Sequence, residues 1–200
     1  MKKNLFGYTL AKLTEEMLSL GEKKYRAIQL FSWIYVKKVF SFDEMTDISK
    51  SFRDYLKENY CLELPKIYTT QRANDGTIKL LLEMSDGAKV ETVLMRYDYG
   101  NAVCVSSEVG CSMGCAFCAS GLLKKERGLK TEEMIGQVLL MNELLQKEGE
   151  SVSHVVVMGT GEPFDNYDNV SDFLHILNEP KGLGIGARHL TVSTCGIVPG

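Results

Sequence analysis

The sequence predicts an α/β protein in which a small helical domain and a β-meander precede the first βα units of a parallel sheet or barrel. Three observations support this. Apolar residues recur at helical spacing over residues 5–60, and strand-like runs separated by turns occupy residues 66–96. From residue 102 onward, strand, loop and helix patterns repeat. Repeated βα units place functional loops at the carboxyl ends of the strands.

Three helices are predicted in the first sixty residues. Thr9 is a suitable N-cap for the first helix, and Gly21 follows it as a stop signal. The second helix contains Trp33. The simplest interpretation of Trp33 is a core anchor, and a base-stacking role is the alternative. The third helix is expected over residues 49–58.

Charge is distributed unevenly along the chain. Residues 1–60 carry 11 Lys and Arg against 8 Asp and Glu, whereas residues 61–200 carry 12 against 18. A basic segment on an acidic body indicates a docking surface for phosphates, or else ordinary solvated helix faces.

The β-meander is predicted from three short strand patterns, Ile67–Arg72, Thr77–Met84 and Lys89–Met95. Asn-Asp-Gly and Ser-Asp-Gly separate them, and both are good hairpin turns. We expect a domain boundary just after this segment. The predicted division is a helical domain over 1–65, a meander linker over 66–98, and a βα core over 99–200.

The βα core begins with a strand over residues 102–106. Thr131 is expected to cap the next helix, and Val152–Met158 is nearly all apolar, as a strand buried on both faces should be. A helix over 169–177 and a strand over 189–193 complete about three βα units before Gly200. We therefore expect the sequence to be the front part of a longer protein.

Composition restricts the class of protein further. No run of 18 apolar residues is present, and the N-terminus lacks the apolar region of a signal peptide, so we expect a cytoplasmic protein without a membrane partner. In a reducing compartment, six cysteines indicate metal ligands or catalytic groups more than disulfides.

Cys111, Cys115 and Cys118 follow the first strand of the core in a glycine-rich loop with C-x₃-C-x₂-C spacing. Iron–sulfur clusters need Cys thiolates, and four ligands would close a cuboidal cluster, so three leave one iron open for chemistry. A structural zinc site would require a fourth ligand nearby. His154, the first His after the loop, is 36 residues past Cys118, so the spacing favours zinc less than a cluster. A disulfide between two of these three cysteines would leave the third without a partner.

This spacing after the first strand of a βα series resembles the radical S-adenosylmethionine (SAM) enzymes. The resemblance implies a [4Fe–4S] cluster whose open iron binds the amino and carboxylate groups of SAM. It further implies that one-electron reduction cleaves SAM to a 5′-deoxyadenosyl radical.

Further motifs resemble the RlmN/Cfr family of RNA methyltransferases. They are Val90–Val93, Cys104–Cys111, Met158–Pro163 and Leu190–Thr194, together with the helical start around Lys24–Ala27 and Phe31–Tyr35. The resemblance covers residues 5–200, and it implies that the helical domain over 1–65 binds RNA and that residues 99–200 form the front half of a radical SAM core. It implies that Gly161, Glu162 and Ser193 bind SAM. A carboxylate at the end of a buried strand is also able to pair with the SAM ammonium group.

The resemblance assigns two catalytic residues. Glu91 is implied to be the proton acceptor, and because it alternates with Val93 and Met95, we expect it on an apolar face where desolvation raises its pKa. Cys104 is implied to help resolve a protein–RNA crosslink and to form a transient disulfide. A surface carboxylate and a buried small hydrophobe are the simpler interpretations of these two residues.

By resemblance, the function is methylation of adenine C2 in 23S rRNA and in tRNA, with electrons from a cytosolic flavodoxin-like reductant. The carrier cysteine of this mechanism would lie beyond Gly200, so the fragment alone is expected to be inactive. Pro163 favours C2 over the C8 adenine chemistry of the Cfr branch, which stays the near alternative. A non-catalytic metal-stabilised RNA-binding fragment is the alternative from another class.

Overall fold

The computed structural model describes residues 2–197. The α-helices of this region are α1 (Leu10–Ser19), α2 (Lys24–Tyr35), α3 (Lys50–Asn59), α4 (Thr131–Gln146) and α5 (Tyr167–Asn178). Its strands are β1 (Lys3–Asn4), β2 (Tyr60–Cys61), β3 (Lys66–Arg72), β4 (Ile78–Glu83), β5 (Lys89–Tyr97), β6 (Gly100–Cys104), β7 (Glu108–Val109), β8 (Arg127–Gly128), β9 (Val152–Val157) and β10 (Leu190–Val192). None of the helices in this region is long and apolar enough to cross a membrane.

The N-terminal helices form where the sequence predicts them. The Thr9 hydroxyl caps α1 by accepting the Lys12 N–H at 3.2 Å, and Gly21 ends this segment with a φ of 77°. Trp33 is 9 % exposed, and its indole N–H donates to Asp47 at 2.5 Å. These contacts favour its interpretation as a core anchor.

Six strands form one mixed sheet in the order β10-β9-β6-β5-β4-β3. The four strands β3 to β6 are antiparallel in succession, and β6, β9 and β10 are parallel. The meander therefore belongs to the same sheet as the βα units, with only Asp98 and Tyr99 between β5 and β6. In the described part of the chain this sheet is open and does not close into a barrel.

One continuous apolar core joins the helical start to the sheet. Helix α4 packs against β9 and α5, and also against the short 3₁₀ turn Leu5–Gly7. Leu5 and Phe6 are fully buried in this contact region. The 3₁₀ turn Leu5–Gly7 is consequently part of the packing that holds α4 in place.

Two element predictions need correction. Thr131 is the first residue of α4, and Lys130 holds the cap position, where its N–H donates to the Glu133 carboxylate at 2.8 Å. Glu133 also receives two hydrogen bonds from Arg127, so its position is fixed by a partner outside the helix. The expected strand over 102–106 begins earlier, at Gly100, and ends at Cys104.

Candidate active site

The cysteine loop, residues 110–126, is closed at its base by a short antiparallel ladder. Strands β7 and β8 pair Glu108 with Gly128 and Val109 with Arg127. Above them, the Cys111 N–H donates to the Leu123 carbonyl at 3.0 Å. The two ends of the loop therefore lie side by side, shortly after the end of the parallel strand β6.

Gly110 is required by this closure. Its φ is 72°, and a Cβ at this position would lie 2.1 Å from the Lys124 carbonyl oxygen. A side chain would therefore push the two arms of the loop apart. Gly114 also has a positive φ of 63°, but open space surrounds it.

The three loop thiols are free, as are those of Cys61, Cys104 and Cys195. Cys111 and Cys115 are half-buried and Cys118 is exposed. The Ser120 hydroxyl and the Ser120 N–H both donate hydrogen bonds to Cys118, and the hydroxyl has the larger effect. Together they hold the pKa of Cys118 below its ordinary value. This favours the thiolate that a metal ligand requires.

No group of three or more His, Cys, Asp or Glu side chains within residues 2–197 is arranged as a finished metal site. The donor chemistry nevertheless fits an iron–sulfur cluster, because three thiols without disulfide partners share one loop with space around Gly114. Cys111, Cys115 and Cys118 would be the ligands.

Glu162 lies beside this loop, five residues beyond the end of β9, and is 3 % exposed. Its carboxylate accepts the Phe164 N–H at 3.0 Å, the Thr194 hydroxyl at 2.6 Å and the Cys195 N–H at 2.8 Å. Burial raises the pKa of Glu162, but the hydrogen bonds from Cys195, Thr194 and Phe164 outweigh burial and hold the pKa below its usual value. The carboxylate is therefore ionised and ties the segment after β10 to the segment after β9.

Gly161 and Glu162 are held from the other side by Glu108. The Glu162 N–H donates to the Glu108 carboxylate at 3.0 Å, and a Cβ on Gly161 would lie 2.5 Å from the Glu108 side chain. Lys125 contacts both Glu108 and Asp165 at 2.5 Å. An ion-paired carboxylate thus links the return arm of the cysteine loop to the Gly-Glu turn.

Register places several predicted residues on one side of the sheet. Val93 pairs with Cys104, Cys104 pairs with Val156, and Glu91 lies two residues before Val93. Because paired residues point to the same side of a sheet, these four residues share a face, which we call the open face. Leu94, Val103 and Val155 point the other way and are fully buried.

The expected environment of Glu91 is wrong. Its side chain is 54 % exposed and forms an ion pair with Lys79 at 2.9 Å, so it is not desolvated on a buried face. The face it shares is the open face, and with Lys79 it lines a shallow pocket of about 90 Å³ with Thr69, Gln71 and Leu81. Its role as proton acceptor stays a prediction.

Cys104 is half-buried at the end of β6, and burial raises the pKa of its thiol. No disulfide joins the described cysteines, so the transient disulfide stays a prediction. Ser193 is exposed immediately after β10, where its N–H donates to the Val157 carbonyl at 3.3 Å. The ends of β6, β9 and β10 thus bring Cys104, Gly161, Glu162 and Ser193 to the edge that carries the cysteine loop.

Sequence reasoning assigned no role to Glu108, Thr194 or Cys195. Cys195 lies at the loop, with its sulfur 3.4 Å from that of Met113. Interaction with the Glu162 carboxylate raises the pKa of Cys195, which favours its neutral thiol. Only the position of Thr194 and Cys195 just after a strand could have indicated this contact.

Comparison with known proteins agrees with this geometry. The family model for the ribosomal RNA large subunit methyltransferase N-terminal domain matches residues 3–62, and the radical SAM superfamily model matches residues 105–200. The chain is 55 % identical to a probable dual-specificity RNA methyltransferase RlmN of Spiroplasma citri, over 98 % of this chain and 57 % of the relative. The chain belongs to the RlmN family of radical SAM proteins.

A second RlmN relative, from Enterococcus faecalis, is 52 % identical over 99 % of this chain and 56 % of its own length. The crystal structure of a radical SAM methyltransferase from Sphaerobacter thermophilus superposes with a TM-score of 0.90 at 39 % identity, covering 98 % of this chain and 58 % of that one. These matches confirm the predicted fold class. The chain spans just over half the length of the RlmN relatives it matches.

Proposed function

We propose that the longer protein to which this chain belongs methylates adenine C2 in 23S rRNA and in tRNA by radical SAM chemistry. The observation that carries the proposal is the position at which the three-cysteine loop is held on the sheet. The loop is pinned at the carboxyl ends of the parallel strands β6, β9 and β10, beside the Gly161–Glu162 turn, in a chain of the RlmN family. In such sheets, chemistry is concentrated at this end of the strands.

The residues of this chain would have distinct roles in binding the cluster and SAM. Cys111, Cys115 and Cys118 would hold a [4Fe–4S] cluster, and SAM bound to it would supply the radical when one electron arrives. Gly161 offers a backbone with no side chain, and Ser193 offers an exposed hydroxyl at the neighbouring strand end. Glu162 would orient this pocket, since its carboxylate fixes both loops that border it.

The open face would receive the target nucleotide. Glu91 forms an ion pair with Lys79 there, and an exposed carboxylate reaches a substrate proton without breaking core packing. Cys104 supplies a half-buried thiol on the same face. The basic N-terminal segment would contact RNA phosphates, and a flavodoxin-like carrier in the cytoplasm would deliver the electron.

The test is methyl transfer by the full-length protein. Anaerobically reconstituted enzyme, reductant, isotopically labelled SAM and ribosomal RNA or tRNA are incubated, and modified nucleosides are separated by mass spectrometry. We expect label in 2-methyladenosine. Label in 8-methyladenosine would instead establish the C8 alternative, and RNA binding without label in any nucleoside would favour a non-catalytic RNA-binding role.

A further inference from the structure

Two leucines on the return arm of the cysteine loop are unusually exposed. Leu122 is 88 % exposed and Leu123 is 58 % exposed, and Lys124 follows them. We call these three residues the leucine patch. Adjacent large apolar side chains left in solvent at a functional loop are typical of a protein-binding surface.

The leucine patch is connected directly to the cysteines through the backbone. The Leu123 carbonyl accepts the Cys111 N–H at 3.0 Å, and the Gly121 N–H donates to the Cys118 carbonyl at 3.1 Å. Leu123 also donates its N–H to Ser120 at 3.1 Å, which makes the segment a tight turn. A partner bound at the patch would therefore lie one hydrogen bond away from Cys111, and next to Gly121, which is hydrogen-bonded to Cys118.

Charge at the patch differs from that of the surrounding chain. Lys124 is exposed and forms no ion pair with any residue in the region 2–197, whereas neighbouring Lys125 is held by Glu108 and Asp165. Residues 61–200 are acidic, with 18 Asp and Glu against 12 Lys and Arg. An acidic partner would be repelled by most of this segment and attracted where Lys124 is free.

We propose that the leucine patch is the docking surface for the one-electron carrier, a small acidic redox protein. This inference rests on the proposed function, which requires one electron per SAM cleaved. The reduced carrier loses one electron, the cluster gains it, and no proton passes through the patch. Transient redox contacts bury little surface, so two leucines and a lysine suffice for a core. The patch itself offers no ring on which a base stacks, whereas Phe117, 93 % exposed elsewhere on the cysteine loop, does, so RNA affinity is measured separately in the test.

The experiment compares variants of the full-length reconstituted enzyme, with flavodoxin as the probe. The double variant Leu122→Glu/Leu123→Glu and the single variant Lys124→Glu change the patch. The matched control is Tyr97→Glu/Tyr99→Glu, which places two acids at exposed aromatic positions at the turn before β6, at the opposite end of that strand from the cysteine loop. Flavodoxin affinity is measured by titration, cluster reduction by rapid mixing, and iron content and substrate RNA affinity in parallel.

We expect the patch double variant to bind flavodoxin about tenfold or more weakly and to be reduced by it correspondingly more slowly. Dithionite should reduce patch and control variants equally, and iron content should not change. Unchanged flavodoxin affinity would overturn the proposal. So would lost iron or thermal stability in the patch variant, which would mean that the leucines pack inside the longer protein. Lost RNA affinity with normal flavodoxin binding would also overturn it and assign the patch to RNA.

The dithionite arm separates this proposal from the function on which it rests. Failure of the dithionite-reduced wild type to cleave SAM contradicts the radical SAM function. If dithionite supports normal SAM cleavage and the patch variants bind flavodoxin with wild-type affinity, only the proposed docking surface is contradicted.

Discussion

At the scale of single residues, Glu162 shows how one carboxylate shapes the site. Three donors from two loops fill its oxygens, so the buried charge is satisfied within the protein. Substituting Glu162→Gln replaces one acceptor oxygen with an amide that faces a donor. We expect SAM binding to the reconstituted full-length enzyme to weaken by roughly 1.5–3 kcal/mol, measured by titration calorimetry.

The control for this prediction is Glu126→Gln, which changes an exposed carboxylate on the cysteine loop. It should leave SAM affinity as it is. Equal affinity of Glu162→Gln and wild type would remove Glu162 from any part in the cofactor pocket.

The ionised state of Glu162 predicts a pH dependence of stability. Because the hydrogen bonds from Cys195, Thr194 and Phe164 outweigh burial, the folded protein holds the pKa of Glu162 below its usual value. Its stabilising contribution is therefore present above the unfolded carboxyl pKa of about 4.3 and is lost as pH falls through the lower folded value.

Urea unfolding of wild type and Glu162→Gln at a series of pH values measures this contribution. We expect the difference between their free energies of unfolding to be constant near neutral pH and to shrink under acidic conditions. A difference that is the same at all pH values would show that Glu162 titrates normally.

Residue-scale prediction from sequence was uneven for a physical reason. Cysteine spacing is local, so the ligand loop was visible. Thr194 and Cys195, in contrast, are more than 30 residues from Glu162 and become its neighbours only through the parallel pairing of β9 and β10. For Glu91, alternation gave the correct companions, Val93 and Met95. Alternation alone did not show that this face is the exposed one.

At the scale of elements, Gly110 controls whether the cysteine loop closes. A Gly110→Ala Cβ would meet the Lys124 carbonyl at 2.1 Å and would also occupy a left-handed conformation. The conformational penalty alone is about 1–2 kcal/mol. We expect reduced cluster incorporation and a lower melting temperature, measured by iron content and thermal unfolding.

Gly21→Ala is the matched control, because Gly21 has a similar φ of 77° but nothing within 4 Å of the added Cβ. It should lower the melting temperature without lowering iron content. If both variants take up iron equally, the close approach of the two loop arms is not needed for the cluster.

The basic N-terminal helices carry the RNA prediction. Lys23 and Lys24 are exposed at the start of α2. Charge reversal of both to Glu in the full-length protein should weaken substrate RNA binding and reduce its dependence on salt, because each lost phosphate contact lowers the slope by about one. Binding at several salt concentrations measures both effects.

Reversal of Lys147 and Lys181, exposed lysines outside the N-terminal segment, provides the comparison. These changes should affect RNA binding less. RNA binding that is insensitive to Lys23 and Lys24 and to ionic strength would exclude α2 from the RNA interface.

Elements were largely predictable because their signals are local. The Thr9 cap, the Gly21 stop and the two Asp-Gly hairpin turns are visible in short stretches of sequence. The cap of α4 was placed one residue late, because the Arg127 contact that holds Glu133 comes from β8. Partners brought together by folding decide such boundaries.

At the scale of the whole molecule, the N-terminal segment and the βα units share packing that the sequence division does not reveal. Leu5 and Phe6 are buried where the first turn meets α4, and the meander continues the sheet of the core. Removing residues 1–60 would expose this core. Charge reversal is therefore a cleaner test of RNA binding than deletion.

The most direct test of the central claim is the metal content of the full-length protein after anaerobic reconstitution, measured as iron and acid-labile sulfide per chain. Wild type should contain about four of each, as a [4Fe–4S] cluster requires. Cys111→Ala, Cys115→Ala or Cys118→Ala should each abolish the cluster, whereas Cys61→Ala should retain it. Stoichiometric zinc without iron in the wild type, or full iron content in any of the three loop variants, would contradict the assignment of the loop.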